Sequence, residues 1–497
     1  MQTSDNPFKD ARERLEQAES FRRQGKYNQA EKICIGLLNQ HPNYFAALHT
    51  LGLTYADKKE SARALGPLFQ AATLNPNSWI TLTALSGVCL NLHAGEMAAQ
   101  ILERARLLKP NDPTVLATLG LIYRQEREYE LSRDAFLEAL KRQPEFLDAS
   151  MGLARTYISL GDDADAARVI KPLLARGIHS LDMLTTVIHL PEDLIDIDLM
   201  DAVKKPVSRH DGLRRDKTEE LAFVKAHAHD RRSEFEEACE ELRVANRIYA
   251  NRLQDQLAKM RERQKYSLLW LEKRAPGTGI TTRGVPLTLF IFGPSRSGKT
   301  TLERLVFGLD GVKRGFENSG PENAINRTFQ DAGLITSWSL EHLPPQFYPQ
   351  FQMNYVEELQ RRAGSAKVFT NTHPAYMQNA AEFADHIPNC RFIFVKRNID
   401  DLTLRIYMRS YQSGNAYAYD ISTIREHIAW YQKMMDLMAE KFPDIVRIVT
   451  YEDMATDAKG VLKTAAALCG LPAPEGEIGT IFDDRNCADP YRELLAL

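Results

Sequence analysis

Cysteine is scarce and unpaired in pattern: Cys34, Cys89, Cys239, Cys390, Cys469 and Cys487 are far apart, with no Cys-x-x-Cys and no companion histidines at ligand spacing. A zinc or iron–sulfur staple is thereby excluded as the organising feature, and the cysteines read as small apolar residues in a reducing compartment. Long hydrophobic runs are missing too. No apolar stretch approaches the ~20 residues needed to span a bilayer, and Met1 to Arg14 is polar rather than a signal peptide. The expected location is the cytoplasm. Excess charge is also lacking: 63 basic residues against 66 acidic ones leave −3, so nucleic acid is not expected as the main partner and any basic character is local.

What is present supports several globular cores. A chain of 497 residues with 44% hydrophobic content has room for about three domains. Within residues 11 to 176, Pro42, Pro76, Pro110 and Pro144 recur every 34 residues, each in a short polar turn such as His41-Pro-Asn43 or Asn75-Pro-Asn77. That period, closed by proline, is the tetratricopeptide signature. Small and aromatic positions keep the same register: Gly52 with Gly120, Tyr55 with Tyr123 and Tyr157, Ala64 with Ala98 and Ala166. Five units follow, 11–44, 45–78, 79–112, 113–146 and 147–180, each predicted as two antiparallel helices. The third carries Ser86 and Cys89 where glycine and tyrosine are usual, a change that alters packing locally and leaves the period intact. Stacked units make a superhelix with a concave face, suited to a peptide or protein partner; a spacer or a dimerisation surface is the alternative.

From Gly177 to Asp216 the period is lost. Pro191, Pro206 and the charged run Arg209, His210, Asp211, Arg214, Arg215, Asp216 mark a joint with one or two short helices. Leu221 to Ile248 reads as another helical hairpin, a diverged sixth unit with Phe223, Phe235, Ala238, Leu242 and Ala245 on its apolar faces. Tyr249 to Lys273 is charged (Arg252, Lys259, Arg261, Arg263, Lys265) and reads as a solvated helix, ended by Pro276-Gly-Thr-Gly279.

One stretch organises the C-terminal half. Leu287 to Phe292 is a strand-like apolar run, Gly293-Pro-Ser-Arg-Ser-Gly298 a small polar loop, and Thr300 to Val306 a helix-like segment. The two glycines let successive N–H groups turn inward on one anion while the new helix directs its positive end at it. Gly293, Gly298, Lys299 and Thr300 satisfy the Walker A spacing, with Lys299 placed to reach an outer phosphate, and Arg296 adds a second cation. The bland reading is a tight glycine turn between strand and helix.

Further strand-like runs, Lys367–Asn371, Arg391–Val395 and Ile445–Val449, alternate with helical segments 349–363, 375–386, 399–411 and 421–441. This alternation implies a parallel sheet covered on both faces, with ligand beyond the carboxyl ends of the strands. A triphosphatase or kinase needs an aspartate at a neighbouring strand end to hold magnesium. Here the run Arg391–Val395 ends in Lys396-Arg397, the wrong sign for a metal and the right sign for a second phosphate. Two phosphate positions fit a nucleoside with phosphates at both ends.

These residues resemble the bacterial tetratricopeptide-repeat sulfotransferases. The resemblance runs through the repeats, Arg243-Val-Ala-Asn-Arg247, Arg296-Ser-Gly298, Pro388-Asn-Cys-Arg-Phe-Ile-Phe-Val-Lys-Arg397, Gly414-Asn-Ala-Tyr-Ala-Tyr-Asp420 and Thr450-Tyr-Glu-Asp453. It implies an α plus α/β chain: a tetratricopeptide α-solenoid at 1–180, a helical connector with a diverged hairpin at 181–275, and a P-loop sulfotransferase-like domain with a parallel sheet at 276–497. The implied donor is 3′-phosphoadenosine 5′-phosphosulfate, with no metal expected and no membrane span. The acceptor is a hydroxyl on a peptide, a glycan or a lipid-linked saccharide. The implied donor ligands are Gly293, Ser295, Arg296, Ser297, Gly298, Lys299, Thr300 and Thr301 for the 5′-phosphosulfate, and Arg397 with Arg405 for the 3′-phosphate. Glu317 is the implied general base; together with Lys299 and Arg296 it makes the catalytic set.

The sequence departs from the family pattern at three places. Lys299 stands where the family loop has a threonine, Arg405 where it has a 3′-phosphate-binding serine, and Thr372 where it has a lysine before His373-Pro374. Alternatives remain open for each side chain. Glu317 can be a loop charge, with Glu322 as its substitute; Arg405 can pair with Asp401 four residues earlier, and Arg409 reads as a surface residue. His373 reads as structural, and Tyr411, Tyr417, Tyr419 and Trp430 as core packing. For the whole chain the alternatives are a repeat adaptor whose altered domain holds nucleotide without turnover, and a magnesium-dependent kinase or triphosphatase.

Overall fold

The computed structural model of the chain describes residues 7–92, 94–204, 218–337, 339–411, 414–473, 475 and 488–496. Pro206, the charged run Arg209 to Asp216 and Cys487 lie outside them. The chain separates into two compact units, Met1–Lys217 and Thr218–Leu497.

In the first unit helix pairs follow the 34-residue period: Pro7–Arg23 with Tyr27–Gln40, Phe45–Asp57 with Ser61–Leu74, Trp79–Asn91 with Gly95–Leu108, Pro113–Gln125 with Tyr129–Arg142, and Leu147–Leu160 with Asp163–Ala175. The turn inside a pair needs left-handed backbone, and Gly25, Lys59, Arg127 and Gly161 supply it with φ of 74°, 64°, 60° and 76°, each in register with the others. Close helix approach explains the small residues: a Cβ on Gly52 would lie 2.5 Å from Leu68 Cγ, and one on Gly120 would lie 2.9 Å from the Phe136 ring. In the third pair Ser86 is fully buried and donates to the Ala98 carbonyl at 2.7 Å, so the hydroxyl is accommodated by a bond across the pair. The period survives there, as expected. Beyond the repeats come the short helices Leu181–Val187 and Leu199–Lys204.

The second unit opens with the hairpin Thr218–Arg231 and Phe235–Arg252. Its turn repeats the device of the first unit: Ser233 has φ 59°, and the Glu234 N–H donates to the His229 carbonyl at 2.9 Å, as the Glu60 N–H does to the Tyr55 carbonyl. Phe223, Ala238, Leu242 and Ala245 are buried, as the apolar pattern requires. The helix Gln254–Lys273 differs from the expected solvated rod. Leu271 is fully buried, Trp430 Nε1 donates to the Gln264 carbonyl at 3.0 Å, and Arg261 pairs with Glu426 at 2.6 Å, so one side packs on the helix Ile421–Lys441.

The sheet has strands β1 (Leu287–Phe292), β2 (Val312–Lys313), β3 (Val368–Asn371), β4 (Cys390–Lys396) and β5 (Val446–Thr450), all parallel, in the order β2-β3-β1-β4-β5. The central strands are buried on both faces, which is why they read as continuous apolar runs. One face rests on Phe290, Phe292, Phe383, Phe392 and Phe394 with the helix Ile421–Lys441, the other on Leu289, Ile291, Ile393 and Val395 with the helices Lys299–Phe307 and Ala458–Cys469. β1 lies between β3 and β4, so the loop after β1 opens at the carboxyl edge of the sheet beside the end of β4.

Candidate functional site

The loop after β1 folds back over β4 because its first residue has no side chain. A Cβ on Gly293 would lie 2.3 Å from Ser297 Oγ and 2.8 Å from the Val395 carbonyl. Arg296 then takes φ 67° and Gly298 φ 102°, the latter as N-cap of the helix Lys299–Phe307. A Cβ on Gly298 would lie 2.5 Å from Tyr451 Cδ2. A glycine N-cap offers no side-chain acceptor, and the first-turn N–H groups of any helix lack intrahelical partners, so Lys299, Thr300 and Thr301 present theirs at the loop. Ser297 is fully buried, and its hydroxyl has no partner among the described residues. The loop thus holds donors to spare, the first-turn N–H groups and the Ser297 hydroxyl.

Two cations, Arg296 and Lys299, stand at this loop. Lys299 is buried and its ammonium donates to the Pro294 carbonyl at 2.9 Å. Burial pulls its pKa down to about 8, with the Arg296 charge acting in the same sense and the Glu317 carboxylate opposing them. Arg296 and Thr300 are exposed, while Ser295 and Thr301 are half-buried.

A third cation arrives from β4. Arg397 is 9% exposed; its Nη1 donates to the Arg296 carbonyl at 3.1 Å, and its Nε to Asp401 at 2.5 Å. The guanidinium carbon stands 3.8 Å from the centroid of the Tyr451 ring. Tyr451 therefore fills the space between Gly298 and Arg397. Asn398 caps the helix Ile399–Tyr407 by accepting from the N–H groups of Asp400 and Asp401, which sets Asp401 one turn beyond Arg397. Arg405 reaches the same carboxylate from the other side, with Nε 3.0 Å from each oxygen. The pairing alternative for Arg405 is thus present, on a half-buried side chain, and Asp401 joins the two arginines. Burial and then the Arg405 charge lower the pKa of Arg397.

Glu317 lies in a loop clamped from beneath. Glu303, on the helix that begins with Lys299, is fully buried; it accepts from the Phe316 N–H at 2.9 Å and from Thr370 Oγ1 at 2.5 Å, and pairs with Arg314 at 3.3 Å. Burial raises its pKa. The Gly315 N–H donates to Thr370 Oγ1 at 2.9 Å, the Thr372 N–H to the Phe316 carbonyl at 2.8 Å, and Phe316 takes φ 52°. The half-buried Glu317 is within electrostatic reach of Lys299, Tyr411, Tyr417 and Tyr431. Glu322 is exposed in the first turn of the helix Gly320–Asp331. His373 caps the 3-10 turn Pro374–Asn379 by accepting from the Ala375 N–H at 3.1 Å, the structural role expected of it.

Aromatic side chains close the remaining side. Tyr417, Tyr419 and Tyr431 are buried, Tyr417 stacks on His427 with centroids 3.6 Å apart, and the Tyr411 hydroxyl bonds Ser295 Oγ at 2.8 Å. Burial lowers the His427 pKa to about 3, and the Lys299 charge adds to this, so the imidazole is neutral. Sequence reasoning assigned no role to Tyr451, Glu303 or His427. For Tyr451 the signal was its place just past the end of β5; for Glu303 it was the spacing of four from Lys299, one helical turn on the same face. Nothing in the sequence marks His427.

Residues 286–475 match the Sulfotransferase family, and residues 15–78 and 117–177 match the tetratricopeptide repeat. No curated protein matches the chain. Among solved structures the chain is similar to a thermophilic TPR protein of Thermus thermophilus (19% identity, 36% of this chain and 98% of that one, TM-score 0.33). It is also similar to MamA from Desulfovibrio magneticus RS-1 (20% identity, 33% and 93%, TM-score 0.29).

Proposed function

In a chain that joins tetratricopeptide repeats to a sulfotransferase-family domain, we propose that the second unit moves a sulfuryl group from 3′-phosphoadenosine 5′-phosphosulfate to a hydroxyl acceptor, and that the repeats select or present that acceptor. The observation that carries the reading is the shared position of Arg397 and the loop: the guanidinium touches the Arg296 carbonyl and is spaced from Gly298 by one ring, that of Tyr451. Two anion positions side by side suit a nucleoside with phosphate at its 3′ and 5′ ends.

In this reading Gly293 to Thr301 hold the 5′-phosphosulfate and Arg397, with Arg405 behind it, the 3′-phosphate. The acceptor oxygen attacks sulfur in line; the bond from sulfur to the bridging phosphate oxygen breaks as the new sulfur–oxygen bond forms. Glu317 takes the acceptor proton. Lys299, Arg296 and the loop N–H groups neutralise the charge that grows on the leaving phosphate, and adenosine 3′,5′-bisphosphate is released. Support for Lys299 in this role is its buried ammonium, which donates to a backbone carbonyl and whose charge an incoming phosphate would satisfy. A reducing, cytoplasmic setting is part of the proposal, in keeping with free Cys34, Cys89, Cys239, Cys390 and Cys469.

The test is ligand-induced stabilisation, since a ligand that binds only the folded state raises the melting temperature. Adenosine 3′,5′-bisphosphate is expected to stabilise the chain in the absence of magnesium, and Arg397→Ala to remove the effect. A preference for ATP with magnesium would overturn the reading in favour of a kinase or triphosphatase.

A further inference from the structure

The hairpin Thr218–Arg231 and Phe235–Arg252 has the turn of a repeat, yet its polar side chains act elsewhere. The helix Ile399–Tyr407, which carries Asp401 and Arg405, ends with carbonyls that its own backbone cannot satisfy. Asn246, fully buried, donates to the Tyr407 carbonyl at 3.0 Å, and His227 Nε2 bonds the Met408 carbonyl at 3.0 Å. The hairpin therefore supplies the C-terminal cap of that helix. From the same hairpin Tyr249 stacks on Tyr419, centroids 4.6 Å apart at 13°. The Tyr419 hydroxyl in turn grips both backbone groups of Tyr411, accepting from its N–H at 3.3 Å and donating to its carbonyl at 3.1 Å. The Tyr411 hydroxyl bonds Ser295 Oγ at 2.8 Å.

We propose that this hairpin is a positioning element of the anion-binding site: Asn246 and His227 hold the helix end at Tyr407 and Met408, Tyr249 holds Tyr419, and Tyr411, gripped by Tyr419, holds the loop through Ser295. Both sides of the site are reached by the same element, the loop by way of Tyr411 and the Asp401–Arg405 helix by way of its cap. A preorganised cradle binds an anion without first ordering its own backbone, so loosening any link lowers affinity at a distance. The chemistry recognised is that of a phosphate at the loop; the proposal rests on the sulfotransferase reading only in the choice of the bisphosphate as one of two probes.

Binding of adenosine 3′,5′-bisphosphate and, separately, of inorganic pyrophosphate to the full chain is the test, measured by calorimetry. Asn246→Ala and Tyr411→Phe are each expected to weaken binding about five- to tenfold, the value of one buried hydrogen bond. Because both act along one chain of contacts, the double variant is expected to bind no more than about twofold more weakly than the worse single variant. Tyr411→Phe keeps the ring, so its unliganded melting temperature is expected to stay within about a degree or two of the unmodified chain, which a purely structural role would not predict alongside lost affinity. If Asn246→Ala does not fold, Tyr249→Leu replaces it. Unchanged affinity in Tyr411→Phe, or additive losses in the double variant, overturns the proposal. Pyrophosphate binding without bisphosphate binding would overturn the sulfotransferase reading and leave this inference to be judged on pyrophosphate; binding of neither overturns both.

Discussion

The guanidinium of Arg397 lies over the ring of Tyr451, 3.8 Å from its centroid, while the far edge of that ring rests where a side chain on Gly298 would have to go. One aromatic ring thus sets the distance between the phosphate loop and the cation at the end of β4. Desolvated cation–π contacts are worth about 1–2 kcal/mol and charge-assisted hydrogen bonds about 1.5–3 kcal/mol. Arg397→Ala is accordingly expected to weaken adenosine 3′,5′-bisphosphate by about a hundredfold and pyrophosphate by less. Tyr451→Ala is expected to weaken both by about tenfold, and Tyr451→Phe, which keeps the ring that spaces the two, to weaken them by less. Titration calorimetry with the two ligands separates these outcomes.

Affinity at the loop is expected to depend on pH through Lys299, whose pKa is drawn down to about 8 by burial. The protonated ammonium is the form that attracts phosphate. Below about pH 8 the charge is present and affinity is full; above it the charge is lost, and affinity falls by up to about tenfold per pH unit. Bisphosphate dissociation constants measured between about pH 6.5 and 9.5 should therefore rise in the alkaline half of the range. Lys299→Met should bind more weakly throughout and lose that alkaline rise. The effect on folding has the opposite sense: with the folded pKa below the unfolded one, the unfolded chain binds more protons between the two values, and stability at this residue rises with pH there.

Much of this architecture was legible from local pattern, because the features that build it are periodic or steric. Proline every 34 residues announced the helix pairs, and the buried strands β1, β3, β4 and β5 announced themselves as apolar runs. The short β2, the helix Gly320–Asp331 and the helices Tyr451–Thr456 and Ala458–Cys469 went unread: two residues carry no periodicity, and the start signals of the helices (Pro321, the capping box of Thr450 with Asp453, and the Asp457 cap) are single polar or proline positions of kinds that turns also use. In the site, Gly293, Gly298 and Lys299 were visible because loop geometry restricts residue type locally. The links from Glu303 to Phe316 and from Asn246 to Tyr407 were not, since each joins residues distant in sequence through a single side chain whose partner is a backbone group of any identity. The helix Gln254–Lys273 misled for a related reason: its charges are real, but Arg261 and Glu272 meet partners on another helix, so a charged face was also a packed one.

Glu303 is expected to be the most costly charged residue to remove. Its carboxylate is fully buried and meets Arg314, the Phe316 N–H and Thr370 Oγ1, so Glu303→Ala would strip a carboxylate from Arg314 and an acceptor from two buried donors. Breaking a buried pair of this kind costs about 3–5 kcal/mol. Glu303→Gln keeps an acceptor of the same shape and should recover at least half of that loss. Urea denaturation of the three chains checks the order, and hydrogen exchange at the Phe316 amide checks the cause. That amide should exchange faster in Glu303→Ala than in Glu303→Gln.

In the repeats, two glycines that look alike in sequence are expected to respond to alanine with opposite signs. A Cβ on Gly152 would lie 2.3 Å from Cζ of Phe136, a ring that is itself fully buried and already pressed against Gly120. Helix propensity favours alanine over glycine by about 1 kcal/mol, but the ring has no free side to move into, and overpacking of this severity costs about 1–3 kcal/mol. The clash wins, and Gly152→Ala should be destabilising by up to about 2 kcal/mol net of propensity. At Gly87, on the helix Trp79–Asn91, an added Cβ meets nothing within 4 Å, so only the propensity term remains and Gly87→Ala should be stabilising by about 0.5–1 kcal/mol. Phe136→Leu in the Gly152→Ala background should recover part of the loss by vacating the contested space. Urea midpoints of the repeat transition for these variants decide between a steric origin of the repeat glycines and a merely conformational one: equal shifts at Gly87 and Gly152 would rule the steric origin out.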